Sequence, residues 1–360
     1  MTKRIISAIL CLLCVASLTF SSCSKKQGND EDSSKDNLNT VENTDVPEVV
    51  TDESDNIFIM KVGDREISKA EYKFYYLTYK YNCDMGDNSY WDNNDTMKQY
   101  LYDTVLKEIK ANCAIDALAK EKNIDTESDE INSSVNSYIS KVIQSAGSTD
   151  EYYKTLSSMY LSDKFLRSLV RANAVMSKIY DELVSSNEIS ATDEELLNYI
   201  NENYVHVKHI LLKTQDRDED EKAAIRAKAE SILASAKNGE NFEKLVEENS
   251  EDGMDVNTGY YFTTGQMLEE FEKASFALEE GEISDLVETV YGYHIIKRYP
   301  MVEKEILESS DIMSQVRTQW QEMKFNEMIE QKADTFSVEI YSNFTEVLNQ
   351  ILAEENVSEK

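Results

Sequence analysis

The stretch VHVKHILL, Val205–Leu212, contains two of the three histidines in this 360-residue chain. The third, His294, stands in YGYHIIKR, about eighty residues further on. Both stretches are short and apolar, with a composition typical of β-strands. All three histidines are therefore expected in one domain, built around two strands.

The sequence around these two stretches differs in composition from the rest of the chain. Six of the ten glycines lie between residues 239 and 292, and further β-like runs occur in GYYFT and LVETVYGYHIIKR. Between them, EDEKAAIRAKAESILASAKNG keeps the apolar spacing of a helix and ends at Gly239, where a left-handed cap fits. Pro300, which cannot donate to a ladder, follows the last strand. These features predict a compact α+β domain over residues 201–300.

Four segments of this domain occur in a familiar order and spacing: VKHILL, GENFEKLVEENSED, GQMLEEFEKASFALEEGEIS and VETVYGYHIIK. They resemble the parvulin-type peptidyl-prolyl cis-trans isomerases. The resemblance implies that His209 and His294 lie on neighbouring antiparallel strands and pair at the floor of a site, where each ring fixes the other's tautomer. Strand alternation places His206 on the opposite side, as an ordinary surface or packing residue.

The resemblance also implies the other site residues. Asp252, in SED, matches the position where the family has Asp or Cys beside the substrate carbonyl, which implies an electrostatic role. Met267 and Phe271 match the pocket that grips the proline ring, and their spacing of four predicts one helix face. Thr289 and Tyr291 match supporting hydroxyl groups ahead of the second histidine.

One segment departs from the parvulin pattern. Between Gly259 and Gly265 the chain reads YYFTT, about two residues shorter than is common, without the leucine that completes the pocket. Either Tyr261 or Phe262 must then supply the third wall.

Residues on both sides of the α+β domain predict a second, mainly helical domain. Capping boxes open helices at Ser68 and Thr192. Alternating apolar residues predict a strand at 57–62 and another near 336–340, which could pair. The expected fold is a parvulin-like domain inserted in a helical chaperone domain, formed by 56–200 and by 301–345, with 346–360 as a tail. This layout resembles secreted foldase lipoproteins of the PrsA type.

The N-terminus has the pattern of a targeting signal. Lys3 and Arg4 precede an apolar run, Ile5–Phe20, that is short for a membrane span. FSSC then resembles a lipobox, which implies that residues 1–22 are a signal peptide and that Cys23 is lipidated at the extracytoplasmic face of a membrane. An uncleaved anchor is the alternative. Residues 23–55 are acidic and polar, which predicts a disordered tether.

The formal net charge of −32 argues against a nucleic-acid partner, because phosphates would be repelled. No metal-ligand spacing occurs, and no cofactor is expected. Cys83 and Cys113 remain after processing; Cys113 falls on an apolar helical stripe, and a disulfide between them is left open.

Three functions are compatible with these features. The first is a lipid-anchored isomerase that helps newly exported or unfolded polypeptides to fold. The second is a non-catalytic chaperone that uses the parvulin module only to bind peptides. The third, a solute-binding lipoprotein, would need two similar α/β lobes, which the sequence after residue 200 does not supply.

Overall fold

The structure, a computed structural model, describes residues 47–358. The predicted signal peptide 1–22, the predicted lipidation site Cys23 and the first part of the predicted tether lie outside the described residues. The chain forms two compact units: one joins the residues up to Ile189 with those from Met323, and the other is Ser190–Glu322.

The elements follow one another in a mainly helical order. The α-helices of the described residues are α1 Lys69–Asp84, α2 Asp95–Glu121, α3 Asp129–Ala146, α4 Thr149–Ser158, α5 Asp163–Ser185, α6 Asp193–Asn203, α7 Glu219–Lys237, α8 Phe242–Asn249, α9 Glu269–Ala277, α10 Glu303–Glu308, α11 Ser310–Asp334 and α12 Phe344–Ser358. The strands are β1 Phe58–Val62, β2 Arg65–Ser68, β3 Tyr204–Lys213, β4 Tyr260–Thr263, β5 Val287–Thr289, β6 Gly292–Tyr299 and β7 Val338–Ile340. Short 3-10 helices lie at Glu53–Asn56 and Asn88–Trp91.

A three-stranded sheet joins the two chain ends of the first unit. Its order is β2-β1-β7, and β1 pairs antiparallel with both neighbours. Met60 lies opposite Ile67 on one side and opposite Ile340 on the other. The predicted pairing of an early with a late strand is confirmed, and with it the insertion of one unit into the other.

Two sequence predictions for the first unit were wrong. The predicted tail at 346–360 is instead helical: 344–358 form α12, because Val347 and Ile351 are buried in the helical core and Lys80 forms a buried ion pair with Glu355 at 2.9 Å. The tether was predicted to be disordered up to residue 55. Its last part, 47–55, is ordered on helix α5.

Long-range hydrogen bonds hold that segment. The Val50 amide donates to Asp163 Oδ2 at 2.9 Å, and Arg167 donates to the Pro47 carbonyl at 3.1 Å. Asp55 is buried and accepts from the Ser162 hydroxyl at 2.6 Å. Two backbone groups and the Asp55 carboxylate of this segment therefore have partners on α5 or at its N-cap.

The remaining cysteines are free thiols. Cys113 is buried in the core of the first unit, as predicted, and Cys83 is half-buried. Among residues 47–358, no helix has the length and apolar content needed to cross a membrane.

The second unit contains an antiparallel sheet of order β4-β3-β6-β5. The central strands have apolar side chains on both faces. One face packs against α7 and α8 through Ile210, Leu212, Tyr293 and Ile295. The other packs against α9 through Val205, Val207, Phe262 and Ile296. Both faces of β3 are thus covered, and nine of its ten residues are buried, including two histidines and Lys208.

This unit is wider than the predicted 201–300. Helix α6 opens with the complete Thr192–Glu195 capping box, and the first half of α11 also belongs to the unit. Arg317 on α11 donates to the Ala191 carbonyl at 3.1 Å, and Tyr204 bonds to Gln319. These contacts, distant in sequence, extend the unit at both ends.

Candidate functional site

The two histidines of the predicted pair lie on the central strands and point to the same face of the sheet. His209 is opposite Ile296 in the register, and His294 is opposite Leu211. The rings are therefore diagonal neighbours, with 3.1 Å between the two Nδ1 atoms and nearly parallel planes. Both side chains are buried.

Asp252 reaches this pair from the loop after α8. Two contacts fix the loop on β3: the Glu251 amide donates to the Leu211 carbonyl at 2.8 Å, and the Leu211 amide donates to Ser250 Oγ at 3.1 Å. Asp252 Oδ2 then lies 3.0 Å from His209 Nε2. The fold thus places His209, His294 and Asp252 in contact, as the parvulin resemblance implied.

Two further donors meet the same carboxylate oxygen. The Tyr260 hydroxyl donates to Asp252 Oδ2 at 2.7 Å, and the Met254 amide donates at 3.2 Å. The hydrogen bond from His209, followed by that from Tyr260, holds the pKa of Asp252 well below its usual range, against the opposing effect of burial. Asp252 is therefore ionised at neutral pH.

An ionised Asp252 fixes the proton positions in the whole row of side chains. It accepts from His209 Nε2–H, and in the tautomer with the proton on Nε2 the Nδ1 atom of His209 is an acceptor. His294 Nδ1–H donates to it, which leaves His294 Nε2 to accept from the Thr289 hydroxyl at 2.9 Å. Burial, and then the neighbouring His209, lower the pKa of His294 to about 4. The ring is neutral at pH 7, as this row requires.

The row ends at the β5–β6 hairpin. Thr289 Oγ1 accepts from the Tyr291 amide at 3.2 Å. Thr289 thus has the supporting position that the sequence suggested. Tyr291 contributes its backbone N–H, while its side chain is 40% exposed at the hairpin tip.

Aromatic side chains form the apolar part of the site. The Phe271 ring on α9 lies edge-on to both histidines, with centroid distances of 5.0 and 5.2 Å. Phe262 on β4 packs 5.9 Å from Phe271. Met267 is half-buried against this cluster. The helix prediction for Met267 was wrong: α9 begins at Glu269 with Leu268 as its N-cap, so Met267 lies in the preceding turn.

Tyr261 does not belong to the pocket. It precedes Phe262 on β4, so its side chain points to the opposite face, where it stacks on His206 at 4.1 Å. His206 is buried there, and its ring nitrogens contact the carbonyl oxygens of Pro300 and Thr258 at 2.8 Å each. Of the two alternatives for the third wall, only Phe262 lies at the site, and His206 is a packing residue that faces away.

A family model described as "PPIC-type PPIASE domain" matches residues 185–299. Residues 185–299 form a PPIC-type peptidyl-prolyl isomerase domain. The matched segment contains every residue of the histidine row and the aromatic cluster.

The relatives of this isomerase domain include foldases. The foldase protein PrsA of Geobacillus kaustophilus is 36% identical over 141 residues, which cover 38% of this chain and 44% of that protein. The PrsA protein of Oceanobacillus iheyensis is 27% identical over 272 residues, which cover 71% of this chain and 84% of that protein. The solution structure of NmPin, the parvulin of Nitrosopumilus maritimus, is 37% identical and covers 27% of this chain and 97% of that one, with a TM-score of 0.21. The chain spans less than half the length of the first of these relatives.

Sequence reasoning missed Tyr260 in the isomerase domain. Alternation within GYYFT indicates only that Tyr260 shares a face with Phe262, and not which face turns toward the histidines. Gly259 fixes this alternation. It has a φ of +71°, and a Cβ at this position would lie 2.6 Å from the Val207 carbonyl oxygen. Only glycine permits so close an approach, and the next residue is thereby placed over His209.

Proposed function

We propose that this chain is an extracytoplasmic, lipid-anchored foldase that catalyses cis-trans isomerisation of X-Pro bonds in exported polypeptides and also binds unfolded chains. One observation carries the catalytic part: the row Thr289–His294–His209–Asp252 lies directly beside the Phe262–Phe271 cluster. An apolar surface next to a fixed carboxylate is what a twisted prolyl amide requires.

The chemistry demands little of the protein. Rotation about an X-Pro bond has a barrier of about 18–20 kcal/mol, and no bond is broken. A thousandfold acceleration needs only about 4 kcal/mol. Phe262, Phe271 and Met267 can hold the proline ring away from water, where the charge-separated planar amide is poorly solvated. Asp252 adds negative charge beside the carbonyl, which further disfavours the planar form.

The histidines have a positioning role in this proposal. His209 Nε2–H holds Asp252, and His294 holds His209 in the tautomer that makes this possible. Because rotation about the X-Pro bond breaks no bond, it requires no proton transfer by either ring. Their burial fits this role better than direct contact with a peptide.

Anchoring and chaperone activity rest on other features of the chain. The basic start, the apolar run and FSSC in residues 1–23 support lipidation of Cys23. A separate helical unit, joined through the β1–β7 pair, offers a second surface for unfolded polypeptides. The similarity to PrsA foldases over 71% of the chain also supports a foldase role.

A second candidate is a chaperone without catalysis. Phe262 and Phe271 are only 1% and 4% exposed, so the apolar floor is nearly covered, and the segment before β4 is short. Such a site could bind extended peptides without gripping a proline ring.

Turnover separates the two candidates. The chain from Ser24 onward is assayed with a proline tetrapeptide and, in parallel, for suppression of aggregation of an unfolded protein. We expect both activities. Aggregation control without any acceleration of isomerisation would favour the chaperone. Loss of lipid labelling in Cys23→Ser, in a lipoprotein-producing bacterium, tests the anchor.

A further inference from the structure

Two adjacent tyrosines on β4 face opposite sides of the sheet. Tyr261 stacks on His206, and its hydroxyl donates to Glu305 at 3.1 Å, away from the site. Tyr260 faces the site: its ring lies 5.7 Å from the His209 ring, and its hydroxyl bonds to Asp252. The pair therefore supplies a test residue and its own control.

The orientation of the Asp252 side chain depends on the groups that donate hydrogen bonds to it. It lies in a loop between α8 and β4, so no helix or strand fixes its side chain. His209 from β3, Tyr260 from β4 and the Met254 amide from the loop itself all donate to Oδ2. Within residues 47–358, no donor bonds to Oδ1. The side chain is 25% exposed, so Oδ1 is the oxygen left to face a bound peptide.

The donors differ in what they can fix. The Met254 amide belongs to the same loop as Asp252, so without Tyr260 the only donor to the carboxylate from a strand is His209. Tyr260 approaches Oδ2 from a different strand, and two donors from different directions hold one rotamer. Burial, and then the bond to Asp252, raise the pKa of Tyr260 well above its usual value, so the hydroxyl keeps its proton.

We propose that Tyr260 is a positioning residue of the peptide site: its hydroxyl holds Asp252 with Oδ2 on His209 and Oδ1 toward the peptide. This inference rests on the proposed isomerase function for its kinetic consequence. Its structural core, the control of Asp252 by Tyr260, stands apart from catalysis.

The experiment compares Tyr260→Phe with Tyr261→Phe in the chain from Ser24 onward. Each variant loses one hydroxyl and keeps its ring. Three quantities are measured: the titration of the Asp252 carboxyl carbon by NMR, kcat/KM for a proline tetrapeptide, and the melting temperature. A cycle with Asp252→Ala then asks whether Tyr260 acts through Asp252.

We expect Tyr260→Phe to move the Asp252 titration to higher pH and to lower kcat/KM about tenfold, the usual effect of losing a hydrogen bond to a charged group. In the Asp252→Ala background the same change should cost nothing more. Tyr261→Phe should match the wild type in the Asp252 titration and in turnover.

An unchanged Asp252 titration in Tyr260→Phe would overturn the proposal. So would a loss of turnover that is just as large in the Asp252→Ala background, because Tyr260 would then act by itself. If the wild-type chain shows no turnover, the proposed function fails. The positioning role of Tyr260 is then tested by the Asp252 titration together with the Kd for the same tetrapeptide. Weaker binding with a shifted titration would support the positioning role, and unchanged values of both would exclude it.

Discussion

His209 Nδ1 lies 3.1 Å from His294 Nδ1, although the two residues are not partners in the sheet register. The diagonal arrangement lets each ring use its other nitrogen for a different group, Asp252 on one side and Thr289 on the other. The result is one continuous row of hydrogen bonds across three strands and a loop. Interrupting it at any ring leaves a buried polar atom on the neighbouring ring unpaired.

Replacing either histidine by alanine should therefore lower both stability and activity. We expect a loss of about 1–3 kcal/mol in the free energy of unfolding for each variant, the cost of an unpaired buried polar group, plus the lost packing of the ring. Urea denaturation and proline-peptide turnover measure the two effects. The double variant should lose less than the sum of the single variants, because the second removal leaves no ring unpaired.

Other outcomes would change the interpretation. Loss of activity at unchanged stability would favour a direct catalytic role for the histidine over a positioning role. If neither quantity changes, the hydrogen bond between the rings does not exist.

Stability should depend on pH through His294. Its pKa in the folded chain is about 4, below the ordinary value of 6.5, because of burial and then His209. Between these pH values the unfolded chain binds more protons than the folded chain, so the free energy of unfolding rises with pH. This contribution is complete above pH 6.5 and lost as the pH falls to 4; it amounts to about 3 kcal/mol.

Urea denaturation between pH 4 and 7.5 measures this slope. His294→Gln, which keeps polar atoms near those of the ring but does not titrate, should show a flatter slope over the same window. An identical slope in the variant and the wild type would show that other groups cause the pH dependence.

Phe271→Ala should weaken both the fold and peptide binding. The ring is 4% exposed and touches both histidines, so we expect a loss of about 3–5 kcal/mol in the free energy of unfolding. Phe276→Ala is the control. Phe276 is half-buried on the same helix and packs on Phe262 at 6.0 Å, without a ring contact to either histidine. Phe276→Ala should lower the free energy of unfolding by less and leave KM nearly unchanged. Full activity of Phe271→Ala would show that Phe271 does not line the pocket.

The insertion predicts that the first unit folds without the second. Replacing 190–322 by a flexible linker should leave a helical protein that melts cooperatively and still suppresses aggregation. The β1–β7 pair and the burial of α12 provide the contacts that hold its two chain segments together. Circular dichroism and urea denaturation test this; Met60→Asp in the same protein, which puts a charge into the β1 core position, is the control that should unfold it. An unfolded deletion protein would contradict the insertion.

Local patterns predicted those parts of the molecule that local physics decides. Alternation along β3 predicted that His206 and His209 point to opposite faces of the sheet. Capping residues predicted the start of α6. Apolar spacing predicted α7 and the left-handed Gly239 after its end. The parvulin resemblance, and not periodicity, supplied the pairing of His209 with His294 and the position of Asp252.

Long-range contacts decided the rest. The order of residues 47–55 depends on Asp163 and Arg167, more than a hundred residues away. The choice between Tyr261 and Phe262 depends on how Gly259 approaches β3, which no pattern within GYYFT reveals. Helix α12 looked like a tail because the apolar partners of Val347 and Ile351 lie in distant helices.

The last prediction concerns the residue before proline. The loop that follows the first sheet strand of the isomerase domain, KTQDRDEDE at 213–221, contains Lys213 and Arg217 among a larger number of acidic residues. Arg217 pairs with Glu221 at 3.5 Å, and the Lys213 backbone amide donates to Glu251 at 2.6 Å, which holds a further carboxylate beside this stretch. Phosphate beside this loop would therefore meet repulsion over about 8–10 Å at ordinary salt.

We expect no preference for phosphoserine-proline and a bias toward neutral or basic residues before proline. Turnover of matched peptides with Ser, phosphoserine, Glu, Ala or Lys at this position, at low and high salt, measures the preference. The difference between Lys and Glu peptides should shrink in high salt. Faster turnover of the phosphorylated peptide would show that the acidic side chains of this loop do not face the substrate.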